Sequence, residues 1–399
     1  MKDLHFLFIA DSPPCPDQAS GDLRFFSIMS MLATRYRVTL AVNGAAHWRD
    51  TTSNASSYER AISDNGVVLH EGDIHSALVA YTADIVIFEF YYNARSFITM
   101  ARRILPHACM VVDSVDVHFK RFETKAVLSR LASDQARAAT IKQHEIEAYK
   151  QSDLIIAISS EDKNIIQTAL PDAQVAVLPN VHEMHPRPVG EARRRDRLVF
   201  VGGFKHEPNV DAILYFVTEV LPLIHAAEPT VVLSIIGSHP PPEITSLAGP
   251  GVEILGFVPD TTPYLRAASI SIAPLRYGGG MKGKVGEALS HGLPVVTTRF
   301  GAEGFGLTPG THLLVADGPA EFANAVIRLI SDNALYERLS EAGYKFIDEH
   351  YSTKAMAAYL DQFVAQARAI KPKRLSAYVR LRLHLKNLYD KHIGWRVDR

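Results

Sequence analysis

Cysteine is scarce in this sequence: there are two in 399 residues, Cys15 and Cys109, far apart and outside any CxxC spacing. That excludes a disulfide framework or a cysteine-built zinc site as the organising principle and fits reduced thiols in the cytoplasm. No Asp-x-Asp occurs anywhere, and HExxH and GxSxG are absent too, so zinc-hydrolase and serine-hydrolase chemistry lose their signatures. No stretch reads as the 18 or so consecutive apolar residues that span a bilayer. The opening run Met1 to Ala10 carries one Lys and is followed at once by Asp11 and Pro13-Pro14, which reads as a first strand, not a signal peptide. A net charge of −1 leaves the whole molecule without the electrostatic footprint of a nucleic-acid binder.

What is present is ordinary globular material, 47% hydrophobic and 21% charged, in a chain longer than one hydrophobic core usually supports. Two domains are expected. Short apolar runs alternate with helical segments such as Leu23 to Thr34 and Leu128 to Lys150, a pattern of βαβ units and parallel sheets. Strands are expected at Leu4 to Ile9, Val38 to Val42, Asp84 to Phe88, Met110 to Asp113, Leu154 to Ile158 and Val175 to Leu178. A segment without apolar period, rich in Pro, Gly and Arg, comes next and marks a linker at 186–197 between a domain over 1–185 and a second over 198–352. The second series runs Leu198 to Val201, Thr230 to Ile236, Val252 to Leu255, Ile270 to Ala273, Pro294 to Thr297 and His312 to Val315. A helix over 353–370 is expected to cross back to the first domain. The tail 371–399 holds nine Lys or Arg against two Asp; we read it as a helix on the body, with peripheral contact to anionic membrane as the alternative.

The most informative segment is SISIAPLRYGGGMKGKVGEALSHGLPVVTTRFGAEGF, Ser269 to Phe305. A buried strand leads into Gly278-Gly279-Gly280, and a helix begins near Gly283 and stops at Gly292 and Pro294. Glycines before a helix let a ligand approach the backbone, and free N–H groups with the helix dipole favour phosphate there. Lys282 and Lys284 stand at the same helix start, where the dipole disfavours cations, so a compensating anion is expected. Glu287, one turn further in, can accept hydrogen bonds from a ribose diol.

This segment resembles the donor-binding signature of the retaining GT-B glycosyltransferases of family four. The resemblance continues through FVGGFKHEPNVDAI (Phe200 to Ile213), IIGSHPPP (Ile235 to Pro242) and VEILGFVPD (Val252 to Asp260). It extends more faintly to SGDLRFFSIMSMLA (Ser20 to Ala33), VVDSVDVHFKR (Val111 to Arg121), AISSED (Ala157 to Asp162) and VLPNV (Val177 to Val181). It implies an α/β fold of GT-B architecture, two Rossmann-like domains with parallel sheets facing across a cleft. It also implies a metal-independent, cofactor-free transfer of a sugar from a nucleotide-diphosphate-sugar to a glycan, lipid-linked or small-molecule acceptor, with retained anomeric configuration.

Residue by residue, the resemblance puts Gly202, Gly203, Lys205, Phe257, Val258, Gly279, Gly280, Met281, Lys282, Lys284, Glu287 and Glu303 at the donor, with Glu303 equally readable as a helix cap. His118 would face the donor sugar, joining Lys284 and Glu287 as catalytic candidates. Gly21, Arg24 and Asp116 would form an acceptor or phosphate loop. His206 reads as structural and Asn209 as a helix N-cap.

The sequence departs from the family in three places. Gly279 stands where many members carry the first carboxylate of a Glu-x7-Glu pair, and Gly203 and Pro208 stand where many carry Arg and Lys on the diphosphate. Those losses keep open a degenerate, non-catalytic partner subunit, and an epimerase of the same architecture is a further alternative. A nicotinamide oxidoreductase is disfavoured because strand one leads into a segment with no GxGxxG; that spacing recurs only at Gly278 to Gly283, late in the chain and beside two lysines.

Overall fold

In the computed structural model, residues 4–187, 195–278 and 280–374 are described. The middle of the expected linker, the tail beyond 374 and Gly279 lie outside them.

The first domain is built on a seven-stranded parallel sheet of order β3-β2-β1-β4-β5-β6-β7. Its strands are β1 (His5–Ala10), β2 (Arg37–Val42), β3 (Val68–His70), β4 (Ile85–Glu89), β5 (Cys109–Asp113), β6 (Leu154–Ala157) and β7 (Val175–Val177). β1 is buried along its whole length, as expected of a strand covered by helices on both faces. The second domain carries six parallel strands in the order β10-β9-β8-β11-β12-β13. These are β8 (Arg197–Val201), β9 (Val232–Ile236), β10 (Val252–Gly256), β11 (Ile270–Ala273), β12 (Val295–Thr297) and β13 (Leu314–Val315). The strand order therefore reverses beside β1 in one sheet and beside β8 in the other, and the crevice at such a switch point is where ligands settle in open α/β sheets.

Two expectations need correction. β3 escapes the sequence because three residues at a sheet edge are too short for a periodic signal. The expected long helix from Leu128 is two helices, His118–Ser129 and Ala132–Gln151, broken where Arg130 takes a left-handed φ of 57°. The helical run Glu207–Ala227 is long and apolar enough by composition to cross a membrane. Its Ala212, Ile213, Phe216, Val220 and Ile224 are nevertheless fully buried, the last four in the core of the second domain.

The chain crosses between the domains at two adjacent points. His182 forms a parallel bridge with Ser352 and donates its backbone N–H to the Tyr351 carbonyl at 2.8 Å. Ser352 then caps the helix Thr353–Ala369, whose Met356, Leu360, Phe363, Val364 and Ala367 lie in the core of the first domain with Phe8, Phe25 and Leu40.

Candidate functional site

Between the two sheets lies a cleft of about 750 Å³ lined from both domains. From the second domain come the turn after β8 (Gly202, Gly203, Lys205, His206), the turn after β10 (Phe257, Val258, Thr261) and the glycine loop with its helix (Gly280 to Lys284, Glu287). From the first come the loop and helix start after β1 (Pro16 to Leu23), with Phe90, Val115, Asp116 and Arg121.

The start of the helix Gly283–Ser290 is the electrostatic centre. It has no side-chain cap, so its leading N–H groups lack that partner. The helix Ser20–Ala33 begins against it, also without a side-chain cap. A methyl group on Gly283 would sit 2.3 Å from Ser20 Cβ, so only glycine lets the two helix starts meet. The sum is a patch of positive potential from two macrodipoles on either side of one cleft.

Two lysines reinforce it. Lys284 Nζ donates to Asn209 Oδ1 at 2.5 Å and lies 4.3 Å from the Phe200 ring centroid. The Asn209 amide nitrogen donates in turn to the Gly203 carbonyl at 2.7 Å. Asn209 is therefore an orienting arm for Lys284, and the N-cap position expected for it belongs to His206. Burial and the neighbouring Lys282 push the Lys284 ammonium down to about 7, against the pull of Glu287. Lys282 is buried, donates to the Gly280 carbonyl at 2.6 Å and approaches Glu303 at 3.7 Å. Burial lowers its pKa while Glu303 opposes. Two cations held this close and this dry are costly unless an anion joins them.

Backbone space is reserved around them. A side chain at Gly202 would strike Lys284 Nζ at 2.8 Å, and one at Gly203 would come within 3.2 Å of Ser238 Oγ. Gly280 takes a φ of 62° beside Asp116, a conformation suited to glycine. Glu287 accepts from Thr261 Oγ1 at 2.5 Å, and burial raises its pKa. Phe257 is 46% exposed on the lip of the cleft, with Val258 beside it, while Met281 is buried beneath.

Three expected site residues are placed elsewhere. Arg24 is fully buried, donating to Asp113 at 2.8 Å and to the Leu178 carbonyl at 3.0 Å, and does not line the cleft. Its position one turn into a helix after the glycine loop resembled a site residue, but that helix face points into the core. Glu303 follows the short helix Arg299–Ala302 as its C-cap residue and meets Lys282 from behind, outside the cleft lining. His118 also stands off the cleft, edge-on to Phe90 and Tyr91. Its Nδ1 pairs with Asp116 at 2.8 Å, and Arg121 takes the other Asp116 oxygen at the same distance. Burial alone would lower the His118 pKa, but Asp116 outweighs it and raises it. Burial works to raise Asp116, yet His118 and Arg121 hold it down at about 2. Gly21 and Asp116 do line the cleft.

The sequence reading missed several lining residues. Arg121 and Phe90 were not singled out, and His206, read as structural, faces the cleft with its pKa driven to about 4 by burial and then by Arg121 and Lys284. Phe90, immediately after β4, and Val115, two residues after β5, have left-handed φ of 60° and 56°. Non-glycine residues in that region mark strained turns that gather at functional sites.

Residues 195–332 match the family described as glycosyl transferases group 1. Over 172 residues the chain is 24% identical to an uncharacterized 44.6 kDa protein in the cps region of Klebsiella pneumoniae, a match covering 39% of this chain and 43% of that relative's length. Among solved structures, sucrose-phosphate synthase from Thermosynechococcus elongatus superposes with a TM-score of 0.69 at 15% identity, over 92% of this chain and 99% of that one. HepE of Anabaena, in complex with UDP, gives 0.67 at 12% identity over 91% of this chain and all of the other. TarM of S. aureus gives 0.58 at 15% identity over 72% of this chain and 57% of that one. The architecture is the GT-B fold.

Proposed function

We propose that the protein is a glycosyltransferase that takes a sugar from a nucleotide-diphosphate-sugar and transfers it with retained anomeric configuration, without a metal. The observation that carries the reading is the meeting of two uncapped helix starts with Lys282 and Lys284, a built receptor for a diphosphate. Glu287 lies one turn along the same helix and lines the same cleft. HepE has been solved with UDP and with UDP-glucose, which makes a uridine diphosphate sugar the first donor to try. The relative in a cps region points the acceptor side towards glycan assembly. Both cysteines are free and buried, in keeping with a cytoplasmic enzyme.

In this reading the bond from sugar C1 to the phosphate oxygen breaks, the acceptor oxygen forms its bond to C1 on the same face, and the acceptor proton passes to the departing phosphate. Negative charge grows on the diphosphate as the bond breaks. Lys284, Lys282 and the helix N–H groups are already aimed there, so stabilisation needs little reorganisation. Asp116, ionised and fixed by Arg121 and His118, faces Gly280 across the cleft and is placed to favour positive charge on the sugar ring.

Calorimetric titration of UDP-, GDP- and ADP-sugars into the protein tests the donor half, and turnover against a mixed acceptor panel in the presence of EDTA tests the rest. Binding without turnover on any acceptor would favour a non-catalytic partner subunit. Failure of all three nucleotides to bind would end the proposal.

A further inference from the structure

The donor machinery takes only the start of the helix Ser20–Ala33 and Asp116 from the first domain, and the rest of that side of the cleft has chemistry of a different kind. Phe90 is half-buried with its ring on the cleft, backed by Tyr92 stacked at 5.2 Å and 16° and held edge-on by His118. Asp22, in the first turn of the helix Ser20–Ala33, lines the same stretch and accepts the Cys15 backbone N–H at 2.9 Å. Asp17 and Gln18 line it too, and Asp17 accepts from the Tyr58 hydroxyl at 2.8 Å.

Glu89, next to Phe90, is 8% exposed and does not line the cleft. Its neighbours are Asp22, Asp113 and Asp11, opposed only by Arg24. Burial, with those carboxylates, lifts the Glu89 pKa far up, and burial pushes Asp22 up to about 6. Glu89 therefore stands behind the cleft wall, as a buried carboxyl beneath Phe90 and Asp22.

Resting on the transferase reading, we infer that Phe90, Asp22, Asp17 and Gln18 form the acceptor subsite, and that its occupant is the ring of a neutral sugar. A pyranose offers a face of C–H groups to a flat aromatic ring and hydroxyl groups at its rim to carboxyls. Few other acceptors need an apolar plate edged by hydrogen-bonding oxygens. Sign of charge narrows the class further. The carboxyls of Asp17 and Asp22 repel a uronic acid or phosphate set against Phe90, whereas the cations that would welcome one stand across the cleft at Lys282 and Lys284.

The test uses saturation-transfer NMR on the full chain saturated with UDP. The probes are methyl α-D-glucopyranoside, methyl α-D-galactopyranoside and methyl N-acetyl-α-D-glucosaminide, with methyl α-D-glucuronide as the charged control. Ring protons of at least one neutral glycoside are expected to saturate, and those of the glucuronide are not. Phe90→Leu keeps the apolar volume but removes the flat ring, and should weaken that glycoside roughly tenfold. Asp22→Asn should weaken it roughly three- to tenfold and narrow the gap to the glucuronide. UDP affinity, read by calorimetry, should stay the same in Phe90→Leu. If UDP binds but no neutral glycoside is saturated, or if saturation survives in both folded variants, the subsite is wrongly placed. If none of UDP, GDP and ADP binds, it is the transferase reading that fails.

Discussion

The two walls of the cleft are opposites. The second-domain wall is made of glycines, lysines and a helix start, with the backbone brought to the surface and positive potential concentrated at one point. The first-domain wall carries an aromatic ring and the carboxyls of Asp17, Asp22 and Asp116. A diphosphate needs the first kind of surface and a hydroxylated ring the second. On the proposed reading, one architecture, used twice, separates a charged partner from a neutral one through the few residues set at the carboxyl ends of its switch-point strands.

Breaking the framework beneath the first wall should have the largest effect. Arg24 and Asp113 form a buried pair, so Arg24→Ala should cost about 3–5 kcal/mol of stability by leaving a carboxylate uncompensated. Urea denaturation checks this. Any fraction that folds should bind donor normally, because Arg24 does not touch the cleft.

The second wall comes next. Lys284→Ala should cost on the order of 1.5–3 kcal/mol in donor affinity with little change in melting temperature, measured by calorimetry. Gly202→Ala should imitate it in part, since the added methyl displaces the Lys284 ammonium from Asn209. The same lysine sets a pH signature. Its pKa of about 7 in the free protein should rise on binding an anion. The affinity gained from the ammonium is then complete below pH 7 and fades as pH climbs past the raised, donor-bound value. Near pH 8 wild-type protein should take up a proton on binding UDP, detected as a buffer-dependent enthalpy, and Lys284→Met should not.

The smallest effect is expected where the walls touch. Lys125 of the first domain and Glu207 of the second pair at 2.5 Å, but the glutamate is 64% exposed. Lys125→Ala should change stability by less than about 1 kcal/mol. A larger loss would mean that the two walls are clamped together more firmly than surface charge allows.

Most of the fold was legible because buried parallel strands are continuous apolar runs, and twelve of the thirteen strands lie on the expected segments. The donor wall was legible for a related reason: backbone approach demands glycine, and glycines at fixed spacing before a helix survive as a pattern. The other wall was not. Whether Arg24 faces a ligand or the core depends on the rotation of one helix, and both Arg24 and His118 occupy positions where motif and burial predict opposite things. Phe90 offered no signal, since an aromatic after an apolar strand reads as more core. Asn209 looked like a cap because its partner, Lys284, lies 75 residues away.

The paired crossings at His182 and Ser352 carry a last consequence. The first domain is not a contiguous stretch of sequence, because Leu360, Phe363 and Val364 return from the far end of the chain to complete its interior. During synthesis the amino-terminal half therefore emerges unfinished and waits for the whole second domain before its apolar surface is sealed. A fragment ending at residue 185 should bind the dye ANS and aggregate, and supplying the segment 353–374 as a separate peptide should quench both.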